Sequence, residues 1–142
     1  MFNLWYNNMN LSIFLIRMSK KVIIVEDEPI LLKALNIELL GAGFNVLSAT
    51  AGDSGLELIT KEKPDAVLLD LLLPKMNGFE ILRRLQENPQ LKTIPVIVLS
   101  NLGQKDEQKK ALGLGAVDYF IKSNTNLDEV VEKLNHFFDH TS

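Results

Sequence analysis

The sequence predicts an α/β fold in which a five-stranded parallel sheet is covered by helices on both faces. Three observations predict it. Short apolar runs alternate five times with stretches of helical spacing. The run Ala66-Val67-Leu68-Leu69 and the run Val96-Ile97-Val98-Leu99 are apolar at every position, as strands buried on both faces are. Most of the runs end in a polar or charged residue, and open α/β sheets gather their ligands at the carboxyl ends of the strands.

The elements follow in order. Val22-Ile23-Ile24-Val25 is a β-branched run that ends in Glu26-Asp27-Glu28. Pro29 suits the first turn of a helix, where its missing N–H costs nothing. Leu31, Leu32, Leu35 and Leu39 recur at helical spacing until Gly41 and Gly43 end that helix. Residues 44–47 form a short second strand, and Asp53 or Ser54 is the expected cap of a helix carrying Leu56 and Ile59. Strand 3 delivers Asp70, and the chain then turns through Leu71-Leu72-Leu73-Pro74-Lys75-Met76-Asn77. Gly78 opens a third helix with Phe79, Leu82 and Leu85 on one face, ended by Asn88-Pro89. Strand 4 ends in Ser100, and the polar stretch 103–110 suggests an exposed fourth helix whose charges form a solvated face. Residues 117–121 are strand 5, ending in Lys122. Thr125 with Asp128 reads as a capping box, and Val130, Leu134, Phe137 and Phe138 form the apolar stripe of the last helix. His136 and His140 lie four apart on that helix and read as surface residues.

With 142 residues, 46% of them hydrophobic, the chain can build one globular core. A formal charge of −3 argues against non-specific nucleic-acid binding, which needs a basic face. The absence of cysteine excludes disulfide and thiolate chemistry. Residues 1–18 differ from the rest. They are rich in Asn and aromatics (Phe2, Trp5, Tyr6, Phe14), and Arg17 is their only charge. Their longest apolar run, 13–16, is far short of the roughly 18 residues of a membrane span. No positive n-region precedes it, so it does not read as a secretory signal. The expectation is an N-terminal extension over 1–18, disordered or not native, ahead of a domain over 19–142. A weak membrane-surface or partner-binding peg is the alternative. Met18-Ser19-Lys20-Lys21 reads as a natural start, and the expected compartment is the cytoplasm.

The strand ends carry the functional signal. Glu26 and Asp27 end strand 1, Asp70 strand 3, Ser100 strand 4 and Lys122 strand 5. Parallel strands end on one edge, so these side chains can converge on one shallow site. Three carboxylates together repel one another and require a cation, and oxygen-only ligands suit Mg²⁺. A lysine and a hydroxyl beside them supply what a phosphoryl group needs, charge neutralisation and a hydrogen-bond donor.

With these motifs the chain resembles the receiver domain of bacterial two-component response regulators, most closely the stand-alone kind. The resemblance rests on Ile24-Val25-Glu26-Asp27-Glu28-Pro29, Leu69-Asp70-Leu71-Leu72-Leu73-Pro74 with Asn77-Gly78, Leu99-Ser100, and Asp118-Tyr119-Phe120-Ile121-Lys122. It implies a flavodoxin-like (βα)5 three-layer sandwich with strand order 2-1-3-4-5. It also implies that Asp70 accepts a phosphoryl group from a phosphohistidine on a sensor histidine kinase or a phosphotransfer protein. Mg²⁺ would then be held by Asp70, Asp27, Glu26 through water, and the backbone carbonyl of Leu72. Lys122 would pair with Asp70 and then with the phosphoryl group, while Ser100 and Tyr119 would act as the switch. Downstream partners would read the face of the fourth helix, fifth strand and fifth helix.

Three departures from the family pattern stand out. Ser123 follows the site lysine where proline with a cis peptide is usual, and a non-proline cis bond costs roughly 2.5–4 kcal/mol. The geometry of the Lys122–Ser123 bond is therefore open. Asn101 follows the switch hydroxyl where Ala or Gly is usual, narrowing access to the phosphate. Leu72 and Leu102 flank the expected route of attacking water, which predicts a long-lived phosphoryl group. A Mg²⁺-dependent phosphohydrolase using Asp70 as nucleophile is the rival from another class, but Leu72 stands where such enzymes carry a second Asp as proton donor. A receiver that works without phosphorylation is a third reading, and the complete acid, hydroxyl and lysine set argues against it. With the sequence ending at Ser142, the expectation is that no DNA-binding module follows the last helix. Output is thus expected through a partner protein, a phosphorelay or a phosphorylation-dependent homodimer, with no direct nucleic-acid contact.

Overall fold

The structure is a computed structural model that describes residues 20–140 together with Leu11; the 1–18 extension otherwise lies outside the described residues. The elements are β1 (Lys21–Val25), α1 (Pro29–Gly41), β2 (Asn45–Ala49), α2 (Gly52–Glu62), β3 (Ala66–Leu69), α3 (Gly78–Glu87), β4 (Val96–Ser100), α4 (Lys105–Gly113), β5 (Asp118–Ile121), a 3-10 turn (Lys122–Asn124) and α5 (Leu127–His140). All neighbouring strands pair parallel, in the order β2-β1-β3-β4-β5. The expected flavodoxin-like three-layer architecture is therefore the one found.

The period of two along a strand sorts the core into two layers. Ile23, Val25, Val67, Leu69, Val96 and Val98 face α2, α3 and α4, where they meet Ile59, Ile81, Leu82, Leu85 and Ala111. Their sequence neighbours Val22, Ile24, Ala66, Leu68, Ile97 and Leu99 face α1 and α5, where they meet Leu35, Leu39, Val130 and Leu134. Central strands covered on both sides have no solvent face to encode, which is why they read as unbroken apolar runs. Fully burying each such side chain contributes about 1.5–3 kcal/mol.

Local expectations fail where tertiary contacts overrule local chemistry. Neither Asp53 nor Ser54 caps α2. The helix starts at Gly52 with Ala51 as N-cap and no side-chain cap. The Gly52 N–H donates instead to the Pro74 carbonyl at 3.0 Å. A Cβ on Gly52 would stand 1.7 Å from the Met76 carbonyl oxygen, so only glycine allows this approach. Thr125 does not cap α5, which begins at Leu127; its hydroxyl donates to the Ile121 carbonyl at 2.8 Å and closes the 3-10 turn. Phe44, expected to start β2, precedes it and turns inward onto Phe138, with ring centroids 5.6 Å apart. No helix among the described residues is long and apolar enough to cross a membrane.

Candidate functional site

Register brings the chemistry together. Val25 pairs with Leu69, and the Asp70 N–H still donates to the Val25 carbonyl at 3.0 Å, one residue beyond the end of β3. Glu26 and Asp70 therefore leave adjacent strands side by side. Ile121 pairs with Ser100, so Lys122 leaves β5 on the same edge.

The Lys122 ammonium lies inside a cage of carboxylates. It is 2.8 Å from Glu26 Oε2, 2.9 Å from Asp70 Oδ2 and 3.1 Å from Glu28 Oε1. Glu26 and Asp70 are buried, and the Lys122 side chain is only 7% exposed. Charges this far from water persist only when paired and hydrogen-bonded. Burial pushes the Glu26 carboxyl above its ordinary range despite the opposing Lys122 hydrogen bond and the bond from the Glu28 N–H; the Asp70 charge adds to the rise. Burial alone would lower Lys122, but its bonds to Glu26 and Asp70 and the charges of both outweigh it, so the ammonium is held above the ordinary lysine range.

The turn after β3 aims Asp70. The Leu72 N–H donates to Asp70 Oδ1 at 3.2 Å, leaving Oδ2 to Lys122. Behind it the Gly78 N–H donates to the Leu71 carbonyl at 2.9 Å, and a Cβ on Gly78 would lie 2.4 Å from the Asp70 carbonyl oxygen. Asn77 then caps α3, its side chain accepting from the Glu80 N–H. The motif Asn77-Gly78 thus lets a helix begin directly against the Asp70 backbone.

Glu26, Asp27 and Asp70 each offer one oxygen within 4.8 Å of the others, with Asp27 the exposed member. The donor set is oxygen only, compact and strongly anionic, so the residues present fit a hard divalent cation such as Mg²⁺. Leu72 lies exposed in the same turn.

Ser100 and Tyr119 meet at Leu102. The buried Ser100 hydroxyl accepts from the Leu102 N–H at 3.3 Å, and the Tyr119 hydroxyl donates to the Leu102 carbonyl. Burial pushes the Tyr119 phenol up against the opposing bond with the Ser100 hydroxyl, and the charges of Glu107 and Asp70 push the same way. All described peptide bonds are trans, Lys122–Ser123 included, and Lys122 reaches both buried carboxylates with that geometry.

The sequence reading brought Glu26, Asp27, Asp70, Ser100 and Lys122 to one edge, and the structure assembles them there. It left Glu28 without a role. Only its place in the acidic run 26–28 hinted at one.

Residues 22–135 match the family described as response regulator receiver domain. The chain belongs to that family. Among curated relatives of this receiver, the transcriptional regulator RpaA of Synechocystis is 35% identical over 102 residues, covering 72% of this chain and 42% of RpaA. The receiver spans under half the length of the first curated relatives it matches. Protein PilH of Pseudomonas aeruginosa is also 35% identical over 102 residues, and there the match covers 72% of this chain and 84% of PilH. Among solved structures, the BeF3-activated receiver domain of Klebsiella pneumoniae RstA superimposes with a TM-score of 0.76 at 30% identity, covering 83% of this chain and 97% of that one.

Proposed function

We propose that this receiver is a phosphorylation-controlled signalling switch with Asp70 as its phosphoacceptor. The observation that carries the reading is the buried Asp70 carboxylate at the end of a central strand, paired through Oδ2 with an ammonium that two further carboxylates hold in place. An Asp70 oxygen attacks the phosphorus of a phosphohistidine on a sensor histidine kinase or phosphotransfer protein. The P–N bond breaks, its electrons return to the imidazole, and Asp70 becomes an acyl phosphate. Asp27, Asp70, the Leu72 carbonyl and, through water, Glu26 would hold a Mg²⁺, which would supply charge neutralisation for the phosphoryl oxygens. Lys122 moves its hydrogen bond from Asp70 Oδ2 to a phosphoryl oxygen.

The added group carries about −1.5 to −2 charge and three acceptor oxygens. Ser100 donates its hydroxyl proton to one of them and gives up the Leu102 N–H. Tyr119 holds the carbonyl of the same residue, Leu102, so the loop and the aromatic ring respond together. Such an element has two arrangements rather than a continuum. The face of α4, β5 and α5 reads the change, through a partner protein, a phosphorelay or a phosphorylation-dependent homodimer. In this reading the working unit is residues 19–142, in the cytoplasm.

RstA is described as activated by BeF3, which makes beryllofluoride the natural probe. Beryllofluoride with Mg²⁺ should raise the unfolding temperature of wild-type protein and leave Asp70→Asn unmoved. Equal stabilisation of both would overturn the assignment of Asp70.

A further inference from the structure

Glu28 touches Lys122 without belonging to the set that binds the phosphoryl group or its cation. Its backbone is fixed from both sides. The N–H donates to Glu26 Oε1 at 3.0 Å, and the carbonyl accepts from the Leu32 N–H at 2.9 Å as α1 begins. Pro29 follows in the first turn of that helix, where its ring fixes φ. As the N-cap of α1, Glu28 has extended backbone and makes no side-chain cap bond. Its carboxylate reaches the sheet edge instead, with Oε1 3.1 Å from Lys122 Nζ.

An ammonium has three donors. Glu26, Asp70 and Glu28 divide them, at 2.8, 2.9 and 3.1 Å. No donor is left for a phosphate arriving from solvent, so one of the three bonds must open first. The three are not equal. The side chains of Glu26 and Asp70 are 3% and 4% exposed, whereas that of Glu28 is 55% exposed. Taking the ammonium from a buried carboxylate leaves an uncompensated charge, which is costly. At Glu28 water replaces the ammonium, and an exposed ion pair is worth little. The Glu28 bond is the one that opens.

We infer that Glu28 is a positioning residue that occupies the third donor of Lys122 and yields it to the incoming phosphate group. The inference rests on Asp70 as the phosphoacceptor. With acetyl phosphate as donor, the ammonium meets a phosphate oxygen through the bond that Glu28 gives up. An Asp70 oxygen then attacks the phosphorus, the P–O bond to the acetyl group breaks, and acetate leaves with the electron pair. Each transfer waits on that exchange, so Glu28 slows phosphorylation without touching the reacting atoms.

Two variants separate contact from charge. Glu28→Ala keeps the backbone bonds and frees the donor. Glu28→Asp keeps the charge but draws the carboxylate back by about 1.5 Å, the length of one C–C bond. In full-length protein at saturating Mg²⁺, the rate constant for phosphorylation by acetyl phosphate, followed by intact mass, should rise about threefold in Glu28→Ala, as loss of an exposed ion pair implies. Glu28→Asp should lie nearer to Glu28→Ala than to wild type. In protein without phosphodonor, exchange of the Lys122 ammonium protons with water, read by ¹⁵N NMR, should quicken in both variants. Asp70→Asn in the same series should take up no phosphoryl group. An unchanged or lower rate in Glu28→Ala would overturn the role of Glu28, as would ammonium exchange no faster than in wild type. A Glu28→Asp rate nearer to wild type would overturn it too, by assigning the effect to charge alone. Phosphoryl uptake by Asp70→Asn would instead overturn the phosphoacceptor on which the inference rests.

Discussion

Two clusters of ion pairs occupy this receiver, and they obey opposite rules. On the surface of α3, Arg83 bridges Glu80 and Glu87, and Arg84 reaches Glu80 at 3.0 Å, all at helical spacings of three or four. At the sheet edge, Lys122 joins residues 52 and 96 positions away. In the first cluster Arg83 and Arg84 hold the Glu80 carboxyl down at about 2. In the second a lysine stands just as close to Glu26, yet burial wins and the carboxyl moves up. Solvent makes the difference. The α3 cluster is screened and contributes little. The Lys122 cluster keeps charges where a fold alone would avoid them, the mark of a site arranged for chemistry.

Breaking the buried cluster should have the largest effect on folding. Lys122→Met leaves Glu26 and Asp70 buried without their cation and should lower the unfolding free energy in urea by about 3–5 kcal/mol. A loss under about 1 kcal/mol would place the cluster in the same class as the one on α3. The sign with pH follows from the raised Lys122 value. Its stabilisation is complete below the ordinary lysine pKa of about 10.4 and fades as pH climbs through the higher folded value. That alkaline loss should be absent in Lys122→Met.

Next in size is the phosphoryl lifetime. Leu72 is 57% exposed two residues after Asp70, and Leu102 is gripped by Ser100 and Tyr119. Replacing this apolar pair by groups that can orient water, Leu72→Asn/Leu102→Glu, should shorten the half-life of the phosphorylated protein by about tenfold, equivalent to about 1.4 kcal/mol. Matching decay curves for variant and wild type would show that the leucines do not guard the phosphate.

The contrast between the clusters also explains how far the residues alone could be read. Asp70, Glu26 and Lys122 were legible because parallel strands must end on one edge, whatever their loops do. The central strands were legible because burial on both faces leaves them no polar residues. Glu28 was not, since its exposed carboxylate reaches Lys122 by a turn that no periodicity encodes. The start of α2 was hidden for a related reason. Its first free N–H is met by Pro74 from a distant loop rather than by Asp53 or Ser54. Nor does spacing show the double hold on Leu102, which depends on how the loop after β4 folds toward β5.

The smallest effect belongs to the exposed cluster. With Glu80 lowered to about 2, its contribution is present above the ordinary glutamate pKa of about 4.3 and is lost as pH falls toward 2. The stability difference between wild type and Glu80→Gln should therefore be slight at neutral pH and shrink on acidification. Glu26, raised instead, has the opposite slope, and Glu26→Gln should gain relative to wild type as pH rises above about 4.3. Parallel slopes in the two pH series would erase the distinction drawn between the clusters.

The assignment of Asp70 is tested most directly by mass spectrometry of intact protein incubated with acetyl phosphate and Mg²⁺. Wild-type protein should gain the mass of one phosphoryl group, and Asp70→Asn should gain none. A phosphoryl adduct that survives in Asp70→Asn would contradict the account.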